Sequence, residues 1–205
     1  METAAADIEF SDGLFSVAGT DRSISLSDVA RLADPQSGIT VAAEFLPEAV
    51  TYPNGCHICE VEIDLDTGVV DLVRYVGVED VGTVLNPVFV EGQMQGGVAQ
   101  GIGQAIGEAI RFDGETGQLV TASFMDYQMP RASDMPDLCF ETLAVPTEVN
   151  PLGAKGVGEA GTVGSLAATM NAIGNALAEI GAGPVEMPAT PGTVWKAIAE
   201  ARGSR

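Results

Sequence analysis

At 205 residues and 46% hydrophobic content, the chain can bury a core as one large domain spanning 1–205, or as two lobes near 1–85 and 86–205. Nine Lys and Arg stand against 29 Asp and Glu, a formal net charge of −20, which argues against nucleic acid or an anionic membrane as partner. No stretch approaches the roughly 20 apolar residues of a membrane span. Met1–Asp7 carries no basic and apolar leader, and three cysteines cannot all pair, so a reducing, cytoplasmic setting is expected.

In chain order, Ile8–Phe10 and Leu14–Val17 about Ser11-Asp12-Gly13 predict a hairpin, followed by a short helix from Asp28 to Ala33 capped by Ser27. Asp34–Gly38 breaks the pattern, and Ile39–Phe45 predicts a strand. The loop Pro47–Gly55 leads to the clearest hairpin, His57–Leu65 with Val69–Val78 around Asp66-Thr67-Gly68. Cys56-His57-Ile58-Cys59 resembles half a metal site. Yet Val61, Ile63 and Leu65 alternate with acidic residues, which makes this a strand beginning near His57, where residues three apart face opposite sides. The thiols read as packing groups, and no metal ligand is assigned.

Asn86-Pro87 marks a turn before a helix from Val88 to Ile110, in which Gly92, Gly96, Ala99, Gly103 and Gly107 form a small-residue stripe. A glycine inside a helix costs about 0.5–1 kcal/mol relative to alanine, so close approach should offset the loss. Periodicity favours packing on a neighbouring element; the alternative is a ligand against the backbone, with Gln93, Gln95, Gln100 and Gln104 as amide contacts. Asp113–Gly117 turns into a strand from Gln118 to Tyr127, Met129–Pro136 is a loop, and Asp137–Val145 is another strand. A helix from Val163 to Ile180 stops at Gly181-Ala182-Gly183-Pro184, and a last helix, Thr193–Ala201, places Val194, Trp195 and Ile198 on one side. Irregularly interleaved strands and helices give a mixed α/β (α+β) class.

Gly153-Ala154-Lys155-Gly156-Val157-Gly158-Glu159-Ala160-Gly161 sets one carboxylate inside a glycine-rich turn directly before a helix. Its four glycines permit positive φ and close approach to a bulky ligand, with Thr162 or Ser165 as cap. Glu159 is the candidate base. Gly156 to Gly161 also fits the G-x-G-x-x-G dinucleotide pattern, but Asn150–Lys155 is no strand and Glu179 falls within a helical pattern. The nicotinamide or flavin reading is set aside.

Three blocks, Glu91 to Gly103, Asp126-Tyr127-Gln128-Met129-Pro130 and Asn150 to Gly161, together resemble the C-terminal part of the molybdenum-binding large subunit of the xanthine dehydrogenase, aldehyde oxidase and aerobic carbon monoxide dehydrogenase family. Further matches run through Asn54-Gly55, Asp80-Val81-Gly82, Asn86-Pro87, Met187-Pro188 and Val194–Ile198. The resemblance implies the second molybdopterin-binding domain of the molybdenum hydroxylases and a molybdenum-pyranopterin cofactor, in bacterial members usually the cytosine dinucleotide. It puts Glu159 on the glutamate that deprotonates the hydroxyl group attacking an aldehyde, an N-heterocycle or CO. It puts Gln93 on the glutamine that contacts the pterin, and Gly96, Gly97, Lys155, Gly156, Val157 and Gly158 on cofactor-lining segments.

Family large subunits are several times longer, so the resemblance implies that the N-terminal half of the large subunit supplies the rest of the cage. FAD and [2Fe-2S] would sit in flavin and iron-sulfur subunits. The chain alone would be inactive, with bare apolar surface favouring a homo-oligomer. The alternative is an interaction scaffold that keeps the fold without cofactor.

Overall fold

The computed structural model describes residues 3–33, 40 and 42–203 and divides the chain into two compact units, one to Leu46 and one from Pro47. The division does not fall after residue 85, because the strands before that point and the helices after it share one unit.

In the first unit β1 (Ile8–Ser11), β2 (Leu14–Val17) and β3 (Ser23–Ser25) form an antiparallel sheet in that order. Asp12 and Gly13 both take positive φ, 50° and 78°, the backbone that a two-residue hairpin requires. Helix α1 (Leu26–Leu32) starts two residues earlier than the pattern predicts. Its cap is Ser25, whose hydroxyl accepts from the Asp28 N–H at 3.1 Å, and not Ser27. The predicted strand at Ile39–Phe45 is absent from the described part, Thr40 and Ala42–Phe45. Asp34–Gly38, Ile39 and Val41 lie outside the described residues.

In the second unit β4 (Asn54–Ile63) and β5 (Val70–Asp80) form the expected hairpin, and β6 (Leu138–Thr142) joins β5 in parallel. The pairing skips Val73: Glu60 faces Arg74, while Val61 faces Leu72. This single-residue bulge flips the faces of β5. Val70 and Leu72 point inward before it, and Tyr75, Gly77 and Glu79 after it, on the same side as His57 and Cys59.

The inner face of the sheet carries α2 (Pro87–Ile106) and α3 (Ala160–Glu179), and α4 (Pro191–Gly203) closes one end. Tyr75, Val98 and Ile102 form one core cluster; Val70, Ile173, Leu177, Val194 and Ile198 form the other. Asn86 caps α2 by accepting from the Phe89 N–H, and Pro87 fills the first turn. The helix ends four residues before Ile110, because the Gly103 carbonyl takes both the Gly107 and Glu108 N–H groups and closes the turn. Val194 and Ile198 are buried as expected, but Trp195 is 49% exposed over the Gly68 turn.

Two further expectations fail. Gln118–Tyr127 is no strand: Leu119 makes one isolated bridge to Phe112, and the Ser123 carbonyl then gathers the Asp126 and Tyr127 N–H groups into a turn. The glycine stripe of α2 is split between two faces. Gly92 and Gly96 face open space, Gly103 and Gly107 meet Pro130 and Gln128, and the α3 contact runs instead through Gly97 and Gly101.

Candidate functional site

His57, the one histidine in the chain, stands opposite Gly77 in the β4/β5 ladder and between the inward residues Tyr75 and Glu79. Its Nδ1 lies 2.6 Å from the Tyr75 hydroxyl and its Nε2 lies 2.6 Å from Glu79 Oε1, with the His57 and Glu79 side chains only 3% and 5% exposed. Tyr75 is fully buried, and its hydroxyl has no other hydrogen-bond partner among the described residues. The buried phenol, imidazole and carboxylate thus form one hydrogen-bonded chain, Tyr75–His57–Glu79, with each ring nitrogen of His57 engaged. Burial, followed by the neighbouring Cys59 and Glu79, raises the Tyr75 phenol above its ordinary range and keeps it a donor. Space for the group comes from glycine: a Cβ at Gly164 of α3 would sit 2.5 Å from Nδ1, and one at Gly55 would overlap the Glu79 carboxylate.

This triad forms part of the wall of a cleft of about 460 Å³, whose other walls include Pro53, Val163 and Ala167, with Glu159 on its rim. Glu159 is the first residue of the α3 cap and is exposed. Its side chain caps nothing and makes no hydrogen bond or ion pair among the described residues. Thr162 and Ser165, expected as caps, lie inside α3, where Thr162 donates to the Gly97 carbonyl at 3.0 Å and Ser165 to the Thr162 carbonyl at 3.2 Å. The end of the loop is held by backbone contact. A Cβ at Gly161 would lie 2.6 Å from the Met94 carbonyl oxygen and 2.9 Å from the Val98 nitrogen of α2.

The other end of the loop is tied to β5 by Asp80. Its carboxylate accepts from Lys155 Nζ at 2.6 Å, the Gly82 N–H at 2.9 Å and the Val145 N–H at 3.0 Å, while the Lys155 N–H donates to the Val81 carbonyl. Of the four loop glycines only Gly153 takes positive φ, 66°, where it accommodates Thr83 and Pro146. The Lys155 bond, then the two amides, pull the Asp80 carboxyl down to about 2. A depressed value gives a contribution complete above the unfolded value of about 4 and lost as pH falls toward the folded one. The Gly82 and Val145 amide shifts are therefore expected to titrate together with a midpoint near 2 by NMR and to stay flat in Asp80→Asn. Independent midpoints would contradict the shared anchor.

The residues singled out in the sequence thus separate. Gln93 is half-buried on α2, Gly96 faces open space beside it, and Gly156 and Gly158 would each accept a Cβ without contact. Gly97 and Lys155 are used within the protein, one against α3 and the other by Asp80. The N–H groups of Gly156, Val157, Gly158 and Glu159 make no hydrogen bond among the described residues, leaving four successive donors unpaired. Of the proposed amide contacts, Gln95 bonds Glu91 and Gln100 accepts from Thr162. Cys56 is exposed and Cys59 half-buried on the opposite face, where burial raises its thiol. The loop lacks the preceding strand of a dinucleotide site, since Ala154 makes only an isolated bridge to Gly82. The Glu79 and Tyr75 partners of His57 went unnoticed in the sequence. The signal for them was the inward spacing of 75, 77 and 79 opposite 57, visible only once the bulge is placed.

The profile of the molybdopterin cofactor-binding domain matches residues 1–136. The 6-hydroxypseudooxynicotine dehydrogenase complex subunit gamma of Paenarthrobacter nicotinovorans is 37% identical over 95% of this chain and 25% of that protein. The carbon monoxide dehydrogenase large chain of Afipia carboxidovorans is 36% identical over 78% of this chain and 20% of that protein. The solved Cu,Mo-CO dehydrogenase aligns with a TM-score of 0.87 at 33% identity, over 98% of this chain and 26% of that one. Quinoline 2-oxidoreductase from Pseudomonas putida 86 gives 0.87 at 34%, over 97% and 26%. The chain spans between 20% and 26% of the length of these relatives. With the fold and the profile in agreement, the chain belongs to the molybdopterin cofactor-binding domain family and has the mixed α/β fold of part of a molybdenum hydroxylase large subunit.

Proposed function

We propose that this chain forms part of the pyranopterin cage of a molybdenum hydroxylase and supplies its base, Glu159. The observation that carries the reading is the free carboxylate of Glu159 at the end of four unpaired backbone donors, on a loop fixed at one end by Asp80 and at the other by Gly161. Donors without acceptors beside glycines that meet nothing suit an oxygen- and nitrogen-rich heterocycle carrying phosphate. Gly156, Val157 and Gly158 would hold it by their N–H groups, and Gln93 and Gly96 by an amide and an open backbone. When bound, the cofactor supplies the two-electron oxidant and the oxygen transferred to substrate.

The role of Glu159 is to take the proton from the attacking hydroxyl group as that oxygen bonds to an electron-poor carbon, or to CO. A carboxylate already paired within the chain would be a weaker acceptor, and this one is unpaired. Because the chain spans only 20% to 26% of its relatives, the rest of the cage is assigned to the N-terminal half of the large subunit. The reading includes the cytosine dinucleotide form of the cofactor and a cytoplasmic complex with flavin and iron-sulfur subunits. The isolated chain is inactive in this reading. Metal and pterin analysis of the assembled large subunit tests it: near-stoichiometric molybdenum is expected, and a stable complex without molybdenum would make the chain a scaffold.

A further inference from the structure

We infer that β4 takes a further strand along its free edge, an extended segment that alternates small apolar with basic residues and belongs to the part of the large subunit this chain does not contain. The source of that segment rests on the functional reading; its conformation and chemistry rest on the edge itself. β4 runs for 10 residues and pairs on one side only, with β5. In an antiparallel ladder every second residue turns both its N–H and its C=O away from the partner strand, and none of those groups of β4 is hydrogen-bonded among the described residues. Edge strands are normally kept short, or carry lysine or proline that discourages another strand. β4 has neither, no Asp, Glu, Lys or Arg falls within residues 54–59, and the extra residue of the bulge lies on β5.

The space beside that edge suits a strand. Val163 and Ala167, exposed residues of α3, line the cleft of about 460 Å³ together with Gly55 and His57 of β4, so the helix overhangs the edge. A strand laid against β4 would run beneath this row, its alternate side chains entering the cleft and covering Val163, now 70% exposed. Small apolar side chains fit there, since Pro53 and Ala168 complete the wall. Side chains on the other face of the added strand would stand beside Glu60 and Glu62, both exposed, and cross-strand complementarity calls for Lys or Arg. The same carboxylates, on a chain of net charge −20, disfavour a second copy of β4 in that place. Because the chain spans 20% to 26% of its relatives, ample polypeptide lies outside it to supply the strand.

The test compares backbone hydrogen exchange over residues 54–63 in this chain and in the assembled large subunit. In the chain alone the amides not bonded to β5 should exchange freely, and assembly should slow them about tenfold or more. Two changes at exposed positions probe the fit: Ala167→Trp fills the cleft, and Glu60→Lys with Glu62→Lys reverses the charge. Each should weaken assembly about tenfold or more. Should the chain not persist alone, Ala167→Trp assayed in the complex decides. Exchange over 54–63 that assembly leaves unchanged, or assembly indifferent to both variants, overturns the inference. Protection that grows with the concentration of this chain alone would assign the edge to a second copy and overturn it as well. Failure here leaves the cage reading intact if the assembled subunit holds molybdenum. Protection of β4 in a stable complex without molybdenum would keep the added strand and discard the cage.

Discussion

Glu159→Gln in the assembled enzyme is expected to lower kcat by about 10²–10⁴-fold, the range for loss of a positioned general base. The substitution keeps the shape of the side chain and removes its capacity to accept a proton. It should leave the protein intact, because the Glu159 side chain is exposed, accepts no hydrogen bond, caps nothing and pairs with nothing among the described residues. Exposed substitutions of this kind stay within about 0.5 kcal/mol in stability. Molybdenum and pterin contents should likewise be unchanged, since the amides proposed to hold the cofactor belong to the backbone. The measurement is kcat per bound molybdenum beside a thermal melt. Near-normal turnover at full loading would remove Glu159 from the chemistry.

The second large effect concerns the mount of that residue. Gly161→Ala should cost about 3 kcal/mol, the upper part of the usual overpacking range, because the atoms in the way are the Met94 carbonyl and the Val98 nitrogen. Main-chain atoms of a helix do not rotate aside, so α2 and α3 must separate. For a chain of this size the loss is about 6–12 °C in Tm. Gly92→Ala is the control: its Cβ meets nothing, and the helix gains about 0.5–1 kcal/mol from the lost backbone freedom of the unfolded chain. Thermal denaturation of both variants checks the pair. A Gly161→Ala melt matching the wild type would mean that the helices are not in backbone contact.

Much of the frame was legible because local chemistry decided it. Alternation defined β4 and β5, Asn86-Pro87 started α2, and Gly181 at φ 74° ended α3. The candidate loop was legible as well, since four glycines around one carboxylate are unusual whatever the tertiary context. What escaped depended on partners far apart in sequence. The α2 glycines occupy two adjoining rows of one helix, and periodicity could not say that Gly97 and Gly101, not Gly92 and Gly96, meet Gly161 and Ser165. Ser27 was the expected cap, but the Asp28 N–H donates to Ser25, one turn of strand-to-helix geometry that local sequence does not fix. Asp80 looked like any strand-end acid, yet Lys155 and Val145, at separations of 75 and 65 residues, converge on it. His57 looked like a possible ligand beside two cysteines, and became the centre of a triad once its cross-strand neighbours were known.

The extra residue at Val73 has a genetic consequence. Val73 and Arg74 both face outward where the partner strand has only Glu60, so Leu72 and Tyr75 both stay inward, and the bulge absorbs one residue of chain length without turning Tyr75, Gly77 and Glu79 away from His57. Conservative exchanges at Val73 leave that length untouched. Loss of the Val73 codon would remove the bulge and leave a regular ladder, with Tyr75, Gly77 and Glu79 still turned toward His57, whereas loss of a second codon there would evert the downstream half of the strand, turning phenol and carboxylate to solvent.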